Sequence, residues 1–188
     1  MSGFEYSAAG LMLQRGQTEA GLKVVKAISD RYDGRARKGP YISMSTCSTG
    51  DGTGSPFGDD ECGKYYARTL SSWSLLTAMQ GFSYNGPHDT ITFAPTWKPS
   101  DHRSFFSTGE AWGTFTQKRA KGAGQTDTLR VHHGSLTVHT LRLEIPKGAG
   151  TVHADGAEVR VSGTTATVEF PAPIKVRKGD KLTVRLTY

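Results

Sequence analysis

The sequence predicts an α+β chain, with helices first and an antiparallel β-sandwich-like region after them. Two observations carry this. Up to about residue 80 the apolar residues recur three to four apart, the repeat of a helix face; from Thr90 onward they alternate with polar residues, and β-branched types become common. The expected division is a helical part over residues 1–88 and a β-rich part over 89–188.

The elements follow in order. Phe4, Ala8, Leu11 and Met12 have helical spacing, so a first helix is expected over Gly3 to Leu13. Gly16 interrupts it. Thr18 is a suitable N-cap for a second helix reaching about Tyr32, with Leu22, Val25, Ile28 and Tyr32 on one face. Asp33-Gly34 would end it, and the short connection predicts an antiparallel helix hairpin. Residues 33–60 read as a long loop, rich in Gly, Ser and Thr between Ser43 and Gly58. A third helix is expected over about Cys62 to Gln80, its face formed by Tyr66, Leu70, Trp73 and Leu76, with Gly81 as its stop.

Candidate strands then cover residues 90–94, 104–108, 112–118, 127–132, 135–145, 150–154, 157–162, 165–170 and 181–187. Turn signals separate them, at Gly122-Ala123-Gly124, His133-Gly134, Lys147-Gly148, Asp155-Gly156, Ser162-Gly163 and Lys178-Gly179-Asp180. Val159 and Val161, like Leu182, Val184 and Leu186, alternate with polar neighbours, as half-buried antiparallel strands do.

Composition narrows the function classes. The chain has 188 residues, 36% of them hydrophobic, which is enough for one domain or two small ones. Two cysteines cannot make a disulfide framework; Cys47 and Cys62 sit in no redox motif and are expected as free thiols. No apolar run approaches the roughly 20 residues of a membrane span, and no secretory leader pattern opens the chain, so a cytoplasmic protein is expected. The net charge of +6 is spread along the chain: 13 basic against 11 acidic residues over 1–119, and 10 against 6 over 120–188. Arg35, Arg37 and Lys38 form the only basic knot in the string, so nucleic acid is not an expected partner.

Two features carry chemistry. Twelve of the 18 aromatic residues lie between Phe57 and Phe115, including all three Trp (Trp73, Trp97, Trp112). Such rings pack cores and also stack on sugar rings. Asp59, Asp60 and Glu61 stand together where the third helix would begin. One of them suffices to cap it, and three adjacent acids repel one another. Arg68 follows Glu61 by seven residues, about two helical turns, so both can face one side and hydrogen-bond to sugar hydroxyls. His132, His133, His139 and His153 fall in strands, and the neighbours His132 and His133 are expected on opposite faces. Without His-x-His or Cys-x-x-Cys spacing, neither a metal nor any other cofactor is expected. No Gly-x-Ser-x-Gly elbow and no phosphate-cradling glycine loop is present.

A set of short motifs runs through residues 1–119. They are Gly3-Phe4-Glu5-Tyr6, Arg31-Tyr32-Asp33-Gly34, Glu61-Cys62-Gly63, Tyr66-Ala67-Arg68, Ser72-Trp73, Gly81-Phe82-Ser83-Tyr84, Phe93-Ala94-Pro95, Phe105-Phe106 and Glu110-Ala111-Trp112-Gly113. In that order they resemble the C-terminal end of glycoside hydrolase family 116, the β-glucosidase and non-lysosomal glucosylceramidase group, in its bacterial branch. The resemblance implies that the helices are the last part of an (α/α)6 barrel and that the substrate is a β-glucoside or another carbohydrate. Such enzymes retain configuration, using a carboxylate nucleophile and a carboxylic acid/base. Both lie upstream of the matched region in the family, so the chain is expected to hold neither and to be incomplete as an enzyme. Its partner would be the missing N-terminal catalytic half. Glu61 or Asp59 matches the family's sugar-binding acid, Arg68 matches an Arg in the same helix, and Glu110 and Trp112 match a motif expected to be structural. Apolar helix faces without a barrel would remain exposed. The alternative reading is a non-catalytic carbohydrate-binding or interaction module.

Overall fold

The computed structural model describes residues 2–32, 67–120 and 124–188. These form two compact units, Met1–Ala78 and Met79–Tyr188. Among the described residues no helix is long and apolar enough to cross a membrane.

The first unit holds α1 (Ser2–Gln14) and α2 (Thr18–Tyr32). The turn between them is a Schellman cap: Gln17 N–H donates to Met12 O (2.9 Å) and Gly16 N–H to Leu13 O (3.0 Å), with Gly16 at φ +76°. The buried face of α1 is not the expected one. Ala9 and Leu13 are buried, while Phe4 and Leu11 are exposed. Small residues decide this. A Cβ on Gly21 would lie 3.0 Å from Leu13 and 3.3 Å from Ala9 O, so α2 approaches α1 where side chains are absent or short. On α2, Ile28 is buried as expected, and Leu22 and Val25 are half-buried.

Of the expected third helix, residues 62–66 lie outside the described residues, and the remainder is only partly α-helical. A 3-10 stretch, Ala67–Trp73, leads into a short α3, Ser74–Gln80. Hydroxyls compete for its carbonyls, Ser74 Oγ donating to Ser71 O (2.7 Å) and Thr77 Oγ1 to Ser74 O (2.9 Å), while Ser71 Oγ donates to Gly3 O of α1 (2.8 Å). Three residues per turn instead of 3.6 rotates the predicted face out of register. Leu70, Trp73 and Leu76 are therefore exposed, and Leu75 and Ala78 are buried instead.

The second unit is built on one strand. Its elements are β1 (Ser83–Asn85), β2 (Thr90–Phe93), β3 (Asp101–Ser107), β4 (Ala111–Ala120), β5 (Gly124–Glu144), β6 (His153–Ala154), β7 (Glu158–Ser162), β8 (Thr165–Arg177) and β9 (Lys181–Thr187). The two strands expected at 127–132 and 135–145 are one strand, β5. Residues 124–134 of β5 pair with β4 and residues 125–130 with β9, in the order β3-β4-β5-β9-β6. Residues 135–144 pair with β8 and residues 140–143 with β2, in the order β1-β2-β5-β8-β7. Pairing is antiparallel throughout except β2 with β5, which is parallel. The α+β class is as expected.

β5 crosses from one half to the other by slipping its alternation twice. Gln125, Asp127, Leu129 and Val131 point inward, then Leu136 and Val138, then Leu141 and Leu143. The first slip is a bulge: Trp112 pairs with His133 but Gly113 pairs with Val131, which leaves His132 as the extra residue. Gly134 follows at φ +73°. His133-Gly134 is thus a bend within a strand, not a chain reversal. The second slip lies between Val138 and Thr140, and the amides of His139 and Thr140 both donate to Asp89 O (2.9 and 3.2 Å). Opposite this slip, Pro171 and Pro173 fall in the stretch of β8 that pairs with nothing on β5, where their missing N–H costs no ladder bond.

The inner faces of the two halves meet in aromatic packing. Phe93 of β2 lies flat against Phe115 of β4, with centroids 3.8 Å apart and planes at 5°. Phe106 of β3 meets Phe93 edge-on at 6.0 Å.

Gly134→Ala should be costly, because its Cβ would lie 1.8 Å from Glu110 O as well as adopting a left-handed φ. Gly163→Ala is the matched control: φ is +60° and nothing lies within 4 Å, so only about 1–2 kcal/mol should be lost. Urea unfolding of both variants checks this, and equal costs would contradict the bend at Gly134.

Candidate functional site

The outer face of the β3-β4-β5-β9 half carries the candidate site. Alternation divides neighbouring rings: Phe106 and Phe115 point inward, and Phe105 and Trp112 point outward. Phe105 is 52% exposed and Trp112 is 45% exposed. Their centroids are 6.2 Å apart. Trp112 also meets both histidines, His132 at 6.0 Å and His133 at 6.0 Å, the latter with planes at 17°. His132 and His133 were expected on opposite faces. The bulge at His132 puts both at the outer surface, since the extra residue removes one step of the alternation. Thr114 Oγ1 lies 3.2 Å from His132 Nε2 and ties that ring to β4. Gly113 keeps the sheet tight there, as a Cβ would meet Arg130 O at 1.9 Å.

Register lays out the rest of this face. Phe105, Thr114, Arg130 and Lys181 are cross-strand neighbours, as are Arg103, Thr116, Thr128 and Thr183, and then Asp101, Lys118, Thr126 and Arg185. Thr128 and Thr183 join hydroxyls at 3.1 Å. Beside Arg130 a shallow groove of about 440 Å³ is lined by Lys175, Asp180 and Lys181, among others. The surface is a sheet face with rings at one end and hydroxyls and cations over the remainder. Flat exposed rings beside polar groups suit stacking on the apolar face of a sugar.

The inner face of the same half holds a buried polar cluster. Asp127 is fully buried. Gln125 Nε2 donates to Asp127 Oδ2 (2.8 Å) and to Glu144 O (3.1 Å). Arg119 Nε donates to Gln125 Oε1 (3.0 Å), and its Nη2 reaches Glu144 O (2.9 Å) and the Glu144 carboxylate. Gln117 Nε2 donates to Pro99 O (2.8 Å). Asp127 Oδ1 has no partner. Burial pushes the Asp127 carboxyl up to about 7, against the lowering effect of the Gln125 hydrogen bond and of Arg119. Burial likewise raises the Tyr188 phenol nearby. Enclosed in the core, Asp127 is a folding constraint and not a group that substrate can touch.

Of the residues expected to hold sugar, Asp59 and Glu61 lie outside the described residues, and Arg68 is described only as part of the 3-10 backbone. Glu110 sits exposed in the turn between β3 and β4. Trp112, expected to be structural, is half-exposed at the centre of the ring cluster. The signal for it was the parity of Phe105 against Phe106 and of Trp112 against Phe115. Among the described residues no group of three or more His, Cys, Asp or Glu is arranged to hold a metal.

No family model matches the chain, and no curated protein matches it. Over 66% of its length it is similar to a solved glycoside hydrolase family 127 β-L-arabinofuranosidase from Geobacillus stearothermophilus T6, at 14% identity and a TM-score of 0.36. Over 70% of its length it is similar to a second solved family 127 β-arabinofuranosidase, also at 14% identity, with a TM-score of 0.35. The chain spans 19% and 22% of those two proteins. Both are glycoside hydrolases, and neither is of family 116. At that level the likeness assigns no function to this chain.

The Asp127 carboxyl makes stability depend on pH. Its folded-state pKa of about 7 exceeds the ordinary 3.8, so the folded chain holds the proton more tightly. Its stabilising contribution is full below pH 3.8 and is lost as pH rises through about 7. The slope over that window is at most about 1.4 kcal/mol per pH unit. Unfolding free energies between pH 4 and 8 should show this decline in the native chain, and Asp127→Asn should remove it.

Proposed function

We propose that this chain is a non-catalytic carbohydrate-binding part of a glycoside hydrolase-like protein, and that it holds sugar rings against Trp112. The observation that carries the reading is the outward ring cluster of Phe105, Trp112, His132 and His133 on a sheet face bordered by threonines. The order of motifs shared with family 116 supports it from the sequence side. The hydrolytic carboxylates then belong to a barrel-bearing partner half. The resemblance separately implies a sugar-binding acid at Glu61 or Asp59 and an Arg at Arg68.

Isothermal titration of the whole chain with neutral glucose and arabinose oligosaccharides tests this. Trp112→Ala should weaken binding by about 1–3 kcal/mol, the scale of one well-stacked ring. Trp97→Ala, also exposed but in the loop between β2 and β3, should leave binding unchanged. Binding that survives Trp112→Ala, or its absence for every oligosaccharide, would overturn the reading.

A further inference from the structure

Read along the string, the basic residues are dispersed; on the fold, five of them share one surface. Arg103 on β3, Lys118 on β4, Arg130 on β5, and Lys181 and Arg185 on β9 all occupy outward positions of the β3-β4-β5-β9 half, and each is exposed. Asp101 is the one acidic residue at an outward position of β3, β4, β9 and residues 124–134 of β5. Alternation explains why the string hides this. Outward residues are two apart on each strand, so Arg130 and Lys181, distant in sequence, face each other on adjacent strands about 5 Å apart, while Arg103, Lys118 and Arg185 stand in the two neighbouring rows with threonines between them. Among the described residues none of the five forms a salt bridge. The groove beside Arg130 and Lys181 adds one further cation, Lys175, and one acid, Asp180.

We propose that this face binds an anionic glycan, its carboxylate or sulfate groups on Arg103, Arg130, Lys181 and Arg185 and one of its sugar rings stacked on Trp112. The proposal rests on the carbohydrate-binding reading above and specifies the class of sugar. Arginine favours it, because a guanidinium meets a carboxylate or sulfate through two parallel hydrogen bonds. The threonines between the cations, Thr116, Thr126, Thr128 and Thr183, supply partners for sugar hydroxyls. A single-stranded nucleic acid fits less well. Its successive bases need stacking platforms along the path, and here the rings are confined to one end of the face, around Trp112.

The test uses the whole chain with four probes at low and moderate salt: a polygalacturonate oligomer, a sulfated dextran oligomer, a neutral glucan oligomer and a single-stranded oligonucleotide. The proposal predicts that one or both anionic glycans bind at least about tenfold more tightly than the neutral one, and that added salt weakens them. The polygalacturonate and dextran sulfate arms then decide between carboxylate and sulfate. Arg130→Ala with Lys181→Ala should remove at least about tenfold of that affinity while sparing neutral glucan. Arg142→Ala, a cation on the outer face of the other half, should change nothing. Equal, salt-independent binding of neutral and anionic glycans would overturn this proposal and leave the carbohydrate-binding reading standing. No binding of any glycan would overturn both. Tighter binding of the oligonucleotide, abolished by the same double variant, would overturn it in favour of nucleic acid.

Discussion

Everything in the second unit depends on how β5 spends its 21 residues. A strand with strict alternation can serve one buried face only. Serving two halves of a sandwich requires the inward set to change parity where the strand passes from one to the other. β5 does this at His132, where an extra residue is inserted, and again at His139, where Asp89 O accepts the displaced amides. Without the first slip, Leu136 and Val138 would face solvent. With it, they join Phe93, Phe106 and Phe115 in a single core. The same slip has an external consequence, since the inserted residue brings both His132 and His133 beside Trp112. The core and the candidate binding surface are thus two results of one backbone irregularity.

The interior is not wholly apolar, and its polar cluster lies on the reverse of the candidate binding surface. Asp127 pairs across the sheet with Gln117 and Val184, between strands whose outward neighbours are threonines and cations. An orphaned carboxylate oxygen in the core is an energetic liability that an apolar residue would not carry. The ion pair of Arg119 with Glu144 joins β4 to the far end of β5, beyond both slips. This cluster constrains how the two halves close on each other, while Phe93 against Phe115 supplies the apolar contact.

Much of the fold was legible in the string, and the failures have physical causes. α2 was readable because its apolar spacing and length agree, and β9 because Leu182, Val184 and Leu186 alternate between clear turns. The face of α1 was misread because large apolar residues were weighed above Gly and Ala, yet close helix approach is made by small residues. The third helix was misread because serine and threonine hydroxyls shift it to 3-10 geometry. β5 was divided in two because a positive-φ glycine marks a strand bend as readily as a turn. The candidate site was legible only as a surplus of aromatics. Which rings face outward depends on register, and the gathering of Arg103, Arg130, Lys181 and Arg185 depends on pairing between strands far apart in sequence.

The account rests on Trp112 being a ring that ligand covers. The three tryptophans give three indole N–H signals, and each sits in a different setting: Trp73 in the 3-10 stretch, Trp97 in a loop and Trp112 on the sheet face. Following those signals by NMR while titrating isotope-labelled protein with an anionic oligosaccharide is the most direct measurement. The account predicts that the Trp112 signal moves, together with the amides of His132 and His133, while Trp73 and Trp97 stay in place. Movement confined to Trp73 or Trp97, with Trp112 unchanged, would contradict it.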